Sequence, residues 1–285
     1  MTEISKYALI EISTRFKQKW GVPVAKLVPL FSGSQGNSYY LSSGGSGILI
    51  DAGRSAKQIT AALTDNGIDI KSIRGIFVTH EHIDHVRGVR VFANKYNIPV
   101  FSSKGTYNAM VSGNYVDSKT CCHIIGSEGV DTDTMHIDVF STSHDCAESN
   151  GFKVTMGDTS FALATDLGYI SDEVAAALHG CDTVVIESNH DVRMLQVGPY
   201  PYPLKKRILS DCGHLSNESC AGFLPELVRY GTKRFILAHL SKENNMPQIA
   251  YAESVNNLAV NHMGVDSDYT LTVAPVVTDG SSVIF

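Results

Sequence analysis

"FVTHEHIDHVRGV", residues 77–89, crowds three histidines and two carboxylates into positions 80–85, directly after an apolar, β-branched run. That run, "IRGIFVTH", reads as a strand covering Gly75 to Thr79, so the polar residues stand at a strand's carboxyl end, where α/β sheets gather ligand-binding groups. His80, His82, Asp84 and His85 fall in the order HxHxDH. Imidazole and carboxylate are both good ligands for zinc-like or harder divalent ions. Four such donors exceed what one open catalytic metal takes from one loop, and they point to two metals.

A two-metal site needs further ligands, each at a strand end. Three candidates meet that condition: His144 in "FSTSHD", Asp166 in "FALATDLG" and His239 in "FILAHLS". The carboxylate of Asp166 is the natural bridge, because one oxygen can go to each of two ions held about 3.5 to 4 Å apart.

HxHxDH followed by a lone His, an Asp and a further His resembles the metallo-β-lactamase-fold hydrolases, over nearly everything from Lys26 onward. The resemblance implies an α/β fold, the αββα sandwich of two mixed β-sheets flanked by helices. It also implies two divalent ions, zinc, manganese or iron. His80, His82 and His144 would hold one, Asp84, His85 and His239 the other, with Asp166 bridging. "LIDAG" is similar to the family's first motif, in which Asp51 accepts the second N–H of a metal-bound imidazole. The presence of both Asp84 and His85 resembles the phosphodiesterase, glyoxalase II and lactonase branches more than the true β-lactamases. Glu81 occupies a position that the family pattern leaves variable.

The rest of the chain suits such a fold. Its 285 residues are enough for a sizeable core. A formal net charge of −6 means that a nucleic-acid partner must be held by a local basic groove. Six cysteines without a CxxC pair, and no secretory h-region, suggest reduced thiols in a cytoplasmic protein. No segment approaches a membrane span. Ile4, Ala8, Ile12 and Phe16 recur about once per turn and predict a short helix within an N-terminal extension, residues 1–25, ahead of a single domain over 26–285. A helix is expected from Val86 to Tyr96, a hairpin about Gly157-Asp158, and a helix capped by Ser171 leading into the strand "DTVVIES". "FLPELVRYG" and "KRFILAHLS" repeat the helix-then-strand pattern.

Four more motifs narrow the branch: "SGSQGNS" (32–38), "ESNHD" (187–191), "YPYPLKKRI" (200–208) and "GHLSNE" (213–218). With "HLSKENN" (239–245) they closely resemble the YycJ/WalJ group of bacterial metallo-β-lactamase-fold proteins, associated with exonuclease action on DNA. Ser34 and Asn37 lie in a turn rich in backbone N–H groups and small hydroxyls, suited to an oxyanion. Lys206 and Arg207 offer charge to a phosphate backbone. His190 and His214 can contact the scissile phosphate or give a proton to the leaving oxygen; His214 is favoured, with Ser216 and Asn217 as hydrogen-bond partners. The expected activity is a dinuclear phosphodiesterase, a 5′ to 3′ exonuclease on DNA working through a metal-bridging hydroxide, with Asp84, Asp166 and His214 as catalytic residues. A hydrolase of small esters, thioesters or lactones is the alternative, since it would use the same metals.

Overall fold

The computed structural model describes residues 24–285. The helix expected between Ile4 and Phe16, and most of the 1–25 extension, lie outside the described residues. Along the chain run β1 (Lys26–Phe31), β2 (Ser38–Ser43), β3 (Ser46–Ile50), α1 (Ala56–Asp65), β4 (Ile73–Phe77), α2 (Ile83–Val86), α3 (Val89–Tyr96), β5 (Val100–Ser102), α4 (Lys104–Ser112) and β6 (Cys122–Ile124). The second half contains β7 (Val130–Asp131), β8 (His136–Ser141), β9 (Asn150–Met156), β10 (Thr159–Ala164), α5 (Asp172–Leu178), β11 (Thr183–Glu187), α6 (Val192–Val197), α7 (Tyr202–Ile208), α8 (Asn217–Arg229), β12 (Arg234–Ala238), α9 (Pro247–Val260), β13 (Thr270–Val273) and β14 (Val283–Ile284).

Among the described residues the strands form two seven-stranded sheets, in the orders β14-β1-β2-β3-β4-β5-β6 and β13-β12-β11-β10-β9-β8-β7. Each begins as antiparallel hairpins and continues as parallel strands joined through helices: β1–β3 then β3–β6 in the first, β7–β10 then β10–β13 in the second. This is the αββα sandwich, with mixed sheets, that the histidine motif implied.

The layering follows from side-chain alternation on strands buried on both faces. Ile48 and Ile50 of β3 face the other sheet while Leu49 faces the helices. In β12, Ile236 and Ala238 point between the sheets, whereas Phe235 and Leu237 point to the outer helices. Phe77, fully buried between the sheets, stacks on Phe101 at 4.7 Å and meets Phe152 edge-on at 5.8 Å. Phe77→Ala is expected to lower the unfolding free energy by about 3–5 kcal/mol through the lost contacts and residual cavity, read from urea unfolding curves.

Local signals behave as expected at the β9–β10 hairpin, where Gly157 has φ +61°, and at α5, where the Ser171 hydroxyl accepts from the Val174 N–H. The helix expected over Val86 to Tyr96 is instead divided between α2 and α3. Gly88 N–H donates to the Ala52 carbonyl at 2.8 Å, and a Cβ there would lie 2.2 Å from the Arg54 carbonyl oxygen. The chain turns at Gly88 because it must pass against the loop after β3. Strand β4 also stops at Phe77, short of Thr79, whose N–H is taken by the Asp51 side chain at 2.9 Å.

Candidate metal centre

The carboxyl ends of β3, β4, β10, β11 and β12 open onto one edge of the sandwich, and the polar residues that follow them converge there. Three leave their strands through left-handed backbone: Asp51 (φ 61°), Asp166 (φ 57°) and His239 (φ 55°). Non-glycine residues rarely adopt this region, and such strain clusters where function over-determines the geometry. The loop between His80 and His85 is pinned against the first sheet. Ala52 N–H donates to the His85 carbonyl at 2.8 Å and Asn37 N–H to the Asp84 carbonyl at 2.7 Å. A Cβ on Gly53 would come within 1.6 Å of that Asp84 carbonyl oxygen, so only glycine fits.

Four overlapping groups of donors result, and two of them match the expected sets. The imidazoles of His80, His82 and His144 present ring nitrogens within 4.8 Å of one another, and so do donor atoms of Asp84, His85 and His239. Asp166 lies between the groups, with Oδ1 3.7 Å from His144 Nε2 and Oδ2 3.3 Å from His85 Nε2. Three of the five imidazoles have an acceptor for the second ring nitrogen, as metal-binding imidazoles require. His85 Nδ1 donates to Asp51 Oδ2 at 2.8 Å, His144 Nδ1 to the Gly213 carbonyl at 3.0 Å, and His239 Nδ1 to Glu187 Oε1 at 2.7 Å. His80 Nε2, His239 Nε2 and Asp166 Oδ2 are buried and have no hydrogen-bond partner among the described residues. Such atoms are costly unless something else binds them, and a mixed imidazole and carboxylate set suits divalent cations.

The charges are strongly coupled. Burial drives the His80 imidazole well below its usual value, and His85, His144 and His82 add to the effect. Burial opposes charge on His85, but Asp166, Asp51 and Asp84 outweigh it and push the imidazole up to about 9. Burial alone would raise the Asp84 carboxyl, yet His85 and His239 hold it well below the usual carboxylate range. Burial raises Asp51 despite its bonds to His85 and Thr79.

A pocket of about 220 Å³ opens above the donors, lined by Ser34, His82, Asp84, Asp166, His214 and Arg207 among others. Of the residues expected to meet substrate, Ser34, Arg207 and His214 reach it. His214 Nδ1 donates to Glu187 Oε1 at 2.9 Å. Arg207 is held by a two-point pair with Asp145, through Nε to Oδ2 and Nη2 to Oδ1, the second at 2.7 Å.

The other side chains expected to meet substrate lie outside this pocket lining. Asn37 is fully buried below the pocket, its Oδ1 accepting from Gly33 N–H at 2.8 Å and its Nδ2 lying 3.0 Å from His85 Nε2. Asn217 is buried in a network with Ser188 and Asn245, and Ser216 caps α8 by accepting from the Ser219 N–H at 3.1 Å. His190 is buried outside the pocket lining, and burial pushes its imidazole down to about 4. Lys206 is exposed and also outside the lining.

Glu187 was missed by sequence reasoning. Fully buried at the end of β11, it accepts from His214, from His239 and from the N–H groups of Leu167 (3.1 Å) and Leu215 (3.0 Å). Its carboxyl is held far below the usual range: burial opposes charge, but His214 and His239 prevail. The available signal was the first letter of "ESNHD", a carboxylate closing an apolar strand run.

The family model for the β-lactamase superfamily domain matches residues 47–240. "Exodeoxyribonuclease WalJ" of Streptococcus pneumoniae serotype 2 (strain D39 / NCTC 7466) is 41% identical over 244 residues, covering 84% of this chain and 90% of that protein. "Exodeoxyribonuclease YycJ" of Bacillus anthracis is 40% identical over 223 residues, covering 78% and 84%. The crystal structure of the metallo-β-lactamase fold protein YhfI from Bacillus subtilis superposes with a TM-score of 0.71 at 15% identity, over 92% of this chain and all of that one, a likeness of fold. Fold, donor groups and sequence agree, and the chain belongs to the β-lactamase superfamily, in the family that contains WalJ and YycJ.

Proposed function

We propose that this chain is a metal-dependent exodeoxyribonuclease that degrades DNA from 5′ to 3′ with two divalent ions, zinc, manganese or iron. The observation that carries the reading is the pair of donor groups joined through Asp166, in which three buried donor atoms have no hydrogen-bond partner among the described residues. The identity to relatives named exodeoxyribonucleases, over most of both chains, supplies the substrate class. His80, His82 and His144 would hold one ion and Asp84, His85 and His239 the other, with Asp166, placed between the two groups, available to both. Bound there, the ions supply Lewis-acid stabilisation of phosphoryl charge and allow water to act as nucleophile near neutral pH.

The chain's own groups do the rest. Asp51 and Glu187 fix the orientation of His85 and His239. Ser34 and Arg207, on the pocket lining, contact the phosphate oxygens; the planar guanidinium, oriented by Asp145, suits that contact. His214 gives its Nδ1 hydrogen to Glu187, which leaves Nε2 as the atom that delivers a proton to the departing sugar oxygen. Asp84 and Asp166 complete the catalytic set as ligands.

Residues 26–285 form one domain in this reading. Among the described residues no helix is long and apolar enough to cross a membrane, and none of the six cysteines is in a disulfide, which suits action in the cytoplasm. The test is incubation of the purified protein with end-labelled DNA and manganese, zinc or iron in turn. Shortening from the 5′ end, abolished by a chelator and restored by metal, is the expected result; a wild type inert with every metal would sink the proposal.

A further inference from the structure

The pocket over the donor groups has a mixed lining. It joins charged side chains of the donor groups to three largely apolar ones, Tyr200, Leu204 and Ile208. Leu204 and Ile208 lie four residues apart on α7 and so share a helix face. Tyr200, half-buried just ahead of that helix, belongs to none of the three hydrophobic clusters among the described residues, so its ring is not part of the core. Arg207 of the same helix also lines the pocket.

A phosphodiester strand has the matching asymmetry: an anionic backbone beside a flat apolar base. Tyr200, Leu204 and Ile208 line the same pocket as the donors, so a phosphate held over those donors would have its neighbouring base within reach of them. We propose that Tyr200, backed by Leu204 and Ile208, is the platform on which the nucleobase flanking the scissile phosphate stacks. Stacking on an aromatic ring accepts every base, because each offers a π-face, and it therefore suits an exonuclease that must advance through any sequence. The inference rests on the nuclease reading above and adds to it the part of the nucleotide that is gripped.

The test compares two DNA strands that differ only at the two terminal nucleotides of the attacked end, which carry either normal bases or tetrahydrofuran abasic residues. Wild type is expected to lose about tenfold in kcat/KM on the abasic strand, and Tyr200→Ala about tenfold on the normal strand with no further loss on the abasic one; Tyr200→Phe, which keeps the ring, should stay within about twofold of wild type. Retained wild-type circular dichroism and metal content in Tyr200→Ala would separate lost stacking from a disturbed site. Equal cleavage of both strands by wild type, or a Tyr200→Ala penalty of the same size on both, would overturn the platform while leaving the nuclease reading intact. A wild type inert on both strands would overturn that reading, and this inference with it.

Discussion

Asp166→Ala is expected to lower DNA hydrolysis by about 10⁴-fold or more, the scale seen when a member of an interdependent catalytic set is removed. Asp166 is almost fully buried, and its two oxygens approach nitrogens that belong to different donor groups. No other carboxylate among the described residues stands between those groups in this way. In the proposed two-metal site its removal would take a ligand from both halves at once, and it leaves the surrounding imidazoles without their shared negative charge. Metal content, measured by mass spectrometry after desalting, should fall in parallel with activity. Asp166→Asn keeps the shape with one neutral oxygen and should retain part of the metal with little of the rate. An Asp166→Ala protein with full metal content and a substantial rate would refute the assignment.

Glu187→Ala is the second large effect, and it should appear in stability as well as in rate. The carboxylate accepts from two imidazoles and two backbone N–H groups in a fully buried place. Its loss strands buried donors and an uncompensated positive environment, a situation that costs about 3–5 kcal/mol. His239 and His214 also lose the acceptor that fixes their rings, and loss of such partners typically costs 10–100-fold in metal affinity or activity. Urea unfolding and steady-state cleavage of labelled DNA would measure the two effects. A variant as stable and as active as wild type would show that other groups hold the two rings.

What could be read from the sequence, and what could not, divides by locality. His80, His82, Asp84 and His85 announce themselves because one strand and one loop present all four. His239 directly follows an apolar run, Asp166 stands two residues beyond one and His144 three residues beyond its strand, so each place near a strand end is a local fact. Glu187 is different. Its role depends on β11 pairing with β12 in the register that sets Glu187 opposite Ala238, one residue before His239. No stretch of sequence contains that pairing. Within "ESNHD" the ring of His190 reads as a substrate contact, whereas the structure buries it and sets Glu187 against His214 and His239. Asn217 and Ser216 are ambiguous for a related reason: asparagine and serine serve equally well as caps, internal ties and ligand contacts, and here one is an internal tie and the other a cap. The division of the helix at Gly88 had the same origin, a contact with the distant loop after β3.

The three left-handed residues at the strand ends, Asp51, Asp166 and His239, carry a consequence for which substitutions the protein can ever accept. Such a backbone favours glycine, asparagine, aspartate and histidine. Binding a metal, or accepting the hydrogen of an imidazole that does, calls for aspartate, glutamate, histidine or cysteine. The two alphabets share only aspartate and histidine, which are the letters found at all three positions. Glutamate at 166 keeps the charge and the chemistry but fits that backbone poorly, and asparagine fits the backbone but surrenders the charge. A change at these sites that looks conservative by one criterion therefore violates the other, and the choice of residue is narrower than either the chain's geometry or its chemistry would impose alone.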